Sequence, residues 1–235
     1  MKIEIWSDYA CPYCYIGKRY LEQALKEFEH ADSLEVVYRA FELDPSAAKE
    51  ATTTTLGRIE HKYGKSRGQA QEMIDHIVAM GARVDLDMRY DSVRYTNTFD
   101  AHRLTKFASR HGKGLEMNER LFNAYFTQNL PLADHGVLIE IATEMGLDRA
   151  ETQAMLASDS FAEDVRADEH RAHEMGIRSV PHMVIDGQHN FVGAQPKSNL
   201  LTAIREIWAE QQAREQVSSV DGIVCDIDGC RPPSS

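Results

Sequence analysis

Cys11 and Cys14 stand in the segment ACPYC, directly after a strand-like run and ahead of an amphipathic helical pattern. Two cysteines so spaced at a helix start lie about one turn from each other, which brings their sulfurs within reach and permits a disulfide. The helix N-terminus carries positive dipole character and unsatisfied N–H groups, and both favour a thiolate at the more exposed sulfur, Cys11. Pro12 suits the first turn, where no N–H is needed. In a redox reading, Cys11 attacks a disulfide and Cys14 resolves the mixed disulfide that forms. Two other readings stand beside it. A zinc site could join this pair to Cys225 and Cys230, although CxxxxC is looser than most structural zinc spacings, and the pair could be buried small hydrophobes. CxxC opening a helix after a strand weighs toward redox chemistry.

The elements that must position this pair are read from hydrophobic periodicity. Ile3 and Ile5 alternate with polar neighbours over Lys2 to Trp6, a short strand. Ile16, Leu21, Ala24, Leu25 and Phe28 follow helical spacing from near Cys11 to near His30, and LEVVYRAFEL (Leu34 to Leu43) reads as a second strand. From Asp44 to about Gly176 helical patterns dominate, with only Val84 to Met88 strand-like. Ser66 caps a helix through Ile74 and Val78 that Gly81 closes. Further helices are expected over Thr96 to Arg110, Asn118 to Phe126, Val137 to Met145, Ala150 to Leu156 with Asp148 as cap, and Phe161 to Met175. Strand character returns at His182 to Asp186 and, past a turn at Gly187 and Gln188, at Asn190 to Val192. A helix follows with Pro196 near its first turn and Leu200, Leu201, Ile204 and Ile207 on one stripe. Strands from both ends of the chain with helices between them imply an α/β domain interrupted by an all-helical insertion. Residues 1–44 and 177–215 form the α/β part, 45–176 the insertion, and 216–235 a tail rich in Ser, Gly, Asp and Pro.

Composition narrows the partners. With 235 residues the chain can bury a large core without disulfide staples, and its four cysteines fall into two local pairs. No secretory leader pattern or membrane-length apolar run occurs, so a soluble cytoplasmic protein is expected, where paired cysteines are catalytic, sensing or metal-binding more often than structural. The net charge of -11 disfavours nucleic acid and anionic membranes as partners. The aspartates of DGIVCDIDG lack the order and distal Glu of a calcium loop, and His170 with His173 reads as a solvated helix face; no metal site is expected.

The segments SDYACPYCYIGKRYLE, SVPHMVIDG and FVGAQP resemble the DsbA family of thioredoxin-fold oxidoreductases, and within it the FrnE-like branch. TNTFDAHRL is similar to that branch and to the related 2-hydroxychromene-2-carboxylate isomerase and kappa-class glutathione transferase families. The resemblance runs from Lys2 to about Trp208 and implies a thioredoxin fold interrupted by a helical insertion. By this resemblance Cys11 is the nucleophile, Cys14 the resolving thiol, and Pro181 a cis-proline facing the pair. Pro12, Tyr13, the Val180 backbone, Asn97 and His102 would contact substrate, the last two facing the motif from the insertion. Cys225 and Cys230 match a second pair found in FrnE-like proteins, which suggests disulfide exchange with Cys11 and Cys14. The expected activity is thiol-disulfide exchange on protein or small-thiol disulfides, with no bound cofactor, glutathione as a redox partner, and a homodimer implied by the family. Pro-Tyr replaces the Pro-His of periplasmic DsbA, and Tyr13 supplies no positive charge to a Cys11 thiolate, so a mild potential is expected. The alternatives are a glutathione-dependent isomerase or transferase on the same fold and a non-catalytic chaperone-like module. Retention of both cysteines argues against the first; the second would tolerate their loss.

Overall fold

A computed structural model describes residues 1–220, 224–226 and 229–231 of the chain, with side chains described through Arg214. Its main sheet has four strands in the order β2-β1-β3-β4. Strand β1 (Lys2–Ser7) runs parallel to β2 (Glu35–Ala40) and antiparallel to β3 (His182–Ile185), which forms a hairpin with β4 (His189–Val192). The hairpin turns through Gly187 at φ +71, a conformation that suits glycine. Helix α1 (Pro12–Lys26) makes the crossover from β1 to β2. The helical segments between β2 and β3 are α2 (Thr55–Tyr63), α3 (Arg67–Ala82), α4 (Phe99–Arg110), α5 (Gly114–Phe126), α6 (His135–Glu144), α7 (Arg149–Ala157) and α8 (Ala162–Glu174). This is the interrupted α/β arrangement the sequence implied.

Both faces of the sheet are covered. Ile3, Ile5, Met183 and Ile185 pack on one face against Leu21 and Ala24 of α1 and against Leu200, Ile204 and Ile207 of α9 (Lys197–Val220). On the opposite face Trp6 and Val184 meet Ala172 of α8, and Trp6 Nε1 donates to the Asp168 carbonyl at 2.9 Å. The alternation in β1 therefore conceals a second buried face. Glu4 is buried there and is held by Arg39 and Arg171, as a charge withdrawn from water requires. Helix α8 packs on β2 and so serves the sheet as well as the helical block.

Several local expectations change. Helix α2, capped by the Thr54 side chain on Gly57 N–H, was not legible as a periodic stripe. Val84, Leu86 and Met88 do alternate with exposed neighbours, but the segment pairs with no strand; it lies on the helices, with Asp85 at φ +58. Gly81 does not close α3. It lies inside the helix, where a Cβ would fall 2.6 Å from Met88 Sδ, so its role is to let that returning segment approach. The capping box of Ser66 and Gln69 starts α3 as expected, and Asp148 caps α7 by accepting from Glu151 N–H. Helix α9 extends to Val220, past the expected start of the tail at Gln216. Beyond it β5 (Val224–Asp226) and β6 (Gly229–Arg231) pair antiparallel with Cys225 opposite Cys230; the side chains of that pair lie outside the described residues.

Candidate active site

Strand β1 delivers the chain to Cys11, which is the N-cap of α1 in extended backbone (φ -97, ψ 111), with Pro12 at the first helical position. The Cys11 N–H donates to the Asp8 carbonyl at 3.0 Å and Cys14 N–H to the Cys11 carbonyl at 3.1 Å, so the loop is wound before the helix begins. No acidic residue occupies the first turn, so none within the helix offsets its positive end beside the pair. Both thiols are free, and both residues are buried, Cys11 at 4% exposure and Cys14 at 2%. The expected difference in exposure is therefore small.

Burial and the adjacent Cys11 sulfur push the Cys14 thiol well above its ordinary range, while the Ser7 hydroxyl and the Asp8 backbone oppose the shift only in part. Cys14 thus holds its proton until a reaction demands it. A cavity of about 20 Å³, space for one water, is lined mainly by apolar groups, among them Cys14, Pro181, Met183 and Leu200, with Lys18, Tyr38 and Gln195 also in its wall.

The hairpin side closes over Cys11. Its thiol donates to the Val180 carbonyl at 3.5 Å, and the Val180–Pro181 peptide is cis. Gly17 permits this approach: a Cβ there would meet Pro181 Cγ at 3.3 Å, tighter than ordinary contact. Tyr13 is exposed at the rim, its phenol raised by partial burial and by the neighbouring Cys11 and Tyr63. Beside it lies a groove of about 310 Å³ whose other wall is Lys65, Gln69, Glu72, Met73 and His76 of the α2–α3 region.

The helical block fixes the same loop through buried polar groups. The Asp8 carboxylate, 1% exposed, accepts from Ala10 N–H at 3.1 Å, Leu43 N–H at 2.7 Å and the Thr98 hydroxyl at 2.8 Å. His102 Nε2 lies 3.6 Å from the same carboxylate, and its ring rests on Tyr9 at 4.8 Å. Asn118 donates to the Tyr9 hydroxyl at 3.2 Å, and that hydroxyl also bonds Thr105; burial pushes the phenol up to about 12. Asn97 is directed to Glu42 and the Pro45 carbonyl, both at 3.3 Å, and its own Oδ1 accepts from Phe99 N–H. The structure thus brings Pro12, Tyr13, Val180 and Pro181 around Cys11 and Cys14. It sets His102 behind the loop and Asn97 at the start of α4, each against buried acids and not at the rim. Asp8, Tyr9 and Gly17 were not singled out from sequence. An acid between a strand end and a helix start, and a lone glycine within a helical stripe, are the signals that could have found two of them.

With this geometry in place, the family is defined. Residues 2–205 match the DSBA-like thioredoxin domain, and the chain belongs to that family. It is 36% identical to the probable DsbA oxidoreductase SCO1869 from Streptomyces coelicolor, whose structure superposes with a TM-score of 0.86 over 100% of both chains. It is 28% identical to the uncharacterized protein YwbO of Bacillus subtilis over 87% of this chain and 96% of that one. The cytosolic disulfide reductase DsbM from Pseudomonas aeruginosa shares the fold at 16% identity, with a TM-score of 0.59 over 91% of this chain and 99% of the other. Among the described residues no helix is long and apolar enough to cross a membrane.

Proposed function

We propose that the protein is a cytoplasmic thiol-disulfide oxidoreductase of the FrnE-like branch, acting on protein or small-thiol disulfides through Cys11. The Cys11 thiolate attacks one sulfur of the substrate disulfide, forming a mixed disulfide and releasing the other sulfur as a thiolate that takes up a proton. Cys14 then gives up its proton and attacks Cys11 Sγ, which releases the second substrate thiol. The protein is left with a Cys11–Cys14 disulfide and the substrate is reduced by two electrons. The reverse sequence oxidises a dithiol. Val180 supplies backbone for an extended substrate, and Pro12 and Tyr13 form the rim it crosses. Asn97 and His102 act at one remove, by holding the loop through Glu42 and Asp8.

One observation carries this reading: a helix-capping cysteine against the Val180 carbonyl, paired one turn on with a buried cysteine that keeps its proton. This division of labour suits an attacking and a resolving thiol. The uncharged Tyr13 favours a mild potential suited to a reducing compartment. Cys225 and Cys230, opposite each other in their hairpin register, are the proposed second dithiol that exchanges with the first. Insulin reduction by the wild type and by Cys11→Ser tests the activity: loss in the variant is expected, and equal rates would contradict it. Mass spectrometry of oxidised Cys14→Ser tests the exchange. A Cys11 adduct with Cys225 or Cys230 supports it, and absence of any such adduct removes it.

A further inference from the structure

Arg58 stands apart from the other arginines of the chain. Among the described residues Arg19, Arg39, Arg103 and Arg120 are also largely withdrawn from solvent, and each pairs with a carboxylate. Arg58 is half-buried and has no acidic partner, and its Nε is fully buried with no hydrogen bond. The guanidinium carbon lies 4.1 Å from the Tyr95 ring centroid, a cation–π contact that restrains the side chain. It faces a cleft of about 520 Å³ between α2 and the loop that follows β2, where Thr52, Thr53 and Lys62 add donors. That volume suits a small molecule. Two acids share the wall: Asp44 already accepts from Ser46 N–H and Oγ and from the Tyr95 hydroxyl, and Glu50 is exposed to solvent.

The cleft also belongs to the reacting end of the sheet. Strands β1 and β2 are parallel neighbours, so the loops that leave them emerge at the same edge, one carrying Cys11 and the other forming the cleft wall. Leu43, the first residue of that wall, is tied through its N–H to Asp8 in the Cys11 loop. We propose that Arg58 anchors a carboxylate carried by the disulfide substrate, so that small disulfides ending in carboxylates are selected over neutral ones. The overall charge of -11 repels anions at long range, so such a preference must be generated locally. This inference rests on the oxidoreductase reading of Cys11.

The test is the second-order rate at which the reduced protein is oxidised by dithiodipropionate and dithiodibutyrate, compared with neutral hydroxyethyl disulfide, each normalised to its rate with dithiothreitol. Wild type should favour at least one dicarboxylate about tenfold, the yield of one charge-assisted bidentate contact. Arg58→Met should erase that preference while the hydroxyethyl disulfide rate stays unchanged, which also shows that the variant is folded. Arg58→Lys should retain part of it, because an ammonium cannot form the fork. A peptide disulfide with Asp beside the reacting cysteine, compared with its Asn analogue, separates the sources. Selectivity confined to that pair and lost in Arg58→Met assigns the carboxylate to polypeptide substrates. The same ratios in wild type and Arg58→Met, for small disulfides and peptides alike, would overturn the inference. No reaction of wild type with any disulfide would instead overturn the oxidoreductase reading itself.

Discussion

The two sides of the Cys11–Cys14 loop are built from opposite materials. Toward the sheet, Cys14 shares a small, mainly apolar cavity with Pro181, Met183 and Leu200, and burial raises the cost of a second thiolate. Toward the helical block, Asp8, Tyr9, Thr98 and Asn118 form a buried hydrogen-bonded set that fixes where the loop runs. The contrast teaches that burial, to which the sheet-side cavity contributes, keeps the resolving thiol protonated, whereas hydrogen bonds from Leu43 and Thr98 to Asp8 fix the loop that carries the attacking thiol.

Breaking either side should have separable effects. The largest is expected from Asp8→Ala, which leaves Leu43 N–H, Ala10 N–H and the Thr98 hydroxyl without their acceptor. A loss of about 3 kcal/mol in urea unfolding is predicted, with Asp8→Asn losing less because it keeps an acceptor oxygen. Met183→Ala should cost about 2 kcal/mol by cavity formation. Unlike Asp8→Ala, it should also admit water beside Cys14 and bring that thiol down toward its ordinary range. The rate of Cys14 alkylation against pH in a Cys11→Ser background reads this out, and an unchanged profile would break the assignment of protonation to the sheet side. Gly17→Ala should leave stability within about 1 kcal/mol, the helix preference of alanine offsetting the tight contact, yet lower the rate of insulin reduction several-fold, because its Cβ displaces Pro181 from the helix.

The smallest effect concerns acid. The Glu119 carboxyl, which links α5 to Lys18 and Arg19 of α1, is drawn down to about 2: burial raises it, but the Arg19 and Lys18 contacts outweigh burial. Its folded-state value lies below the unfolded one, so its contribution is present above about pH 4.5 and is lost as pH falls toward 2. One third of the side chain is exposed, so solvent screening limits the size. Glu119→Gln should lower stability by a few tenths of a kcal/mol at pH 7 and flatten the acid limb. Identical pH profiles for variant and wild type would show that the α1–α5 link is energetically silent.

Much of this was legible in the sequence. The CxxC at a strand-to-helix junction, the strands at both ends of the chain and the caps at Ser66 and Asp148 are local signals, and local signals survive without coordinates. Residues whose meaning depends on distant partners were less legible. Asp8 is defined by Leu43, Thr98 and His102, none of them neighbours in the chain, and Glu4 looked like the polar half of an alternation until α8 covered that face. Val84 to Met88 shows the converse failure. Its period of two is real, but burial enforces it, since among the described residues no strand pairs with it to make a ladder. Gly81 and Gly17 were readable only as interruptions of helices, and what approaches each one is a tertiary fact.

The most direct test of Cys11 as the attacking sulfur is to react reduced Cys14→Ser with a disulfide-bonded substrate and map the product by peptide mass spectrometry. A stable mixed disulfide on Cys11, released by dithiothreitol and absent from Cys11→Ser, is predicted. No adduct, or an adduct that persists when Cys11 is replaced, would contradict it.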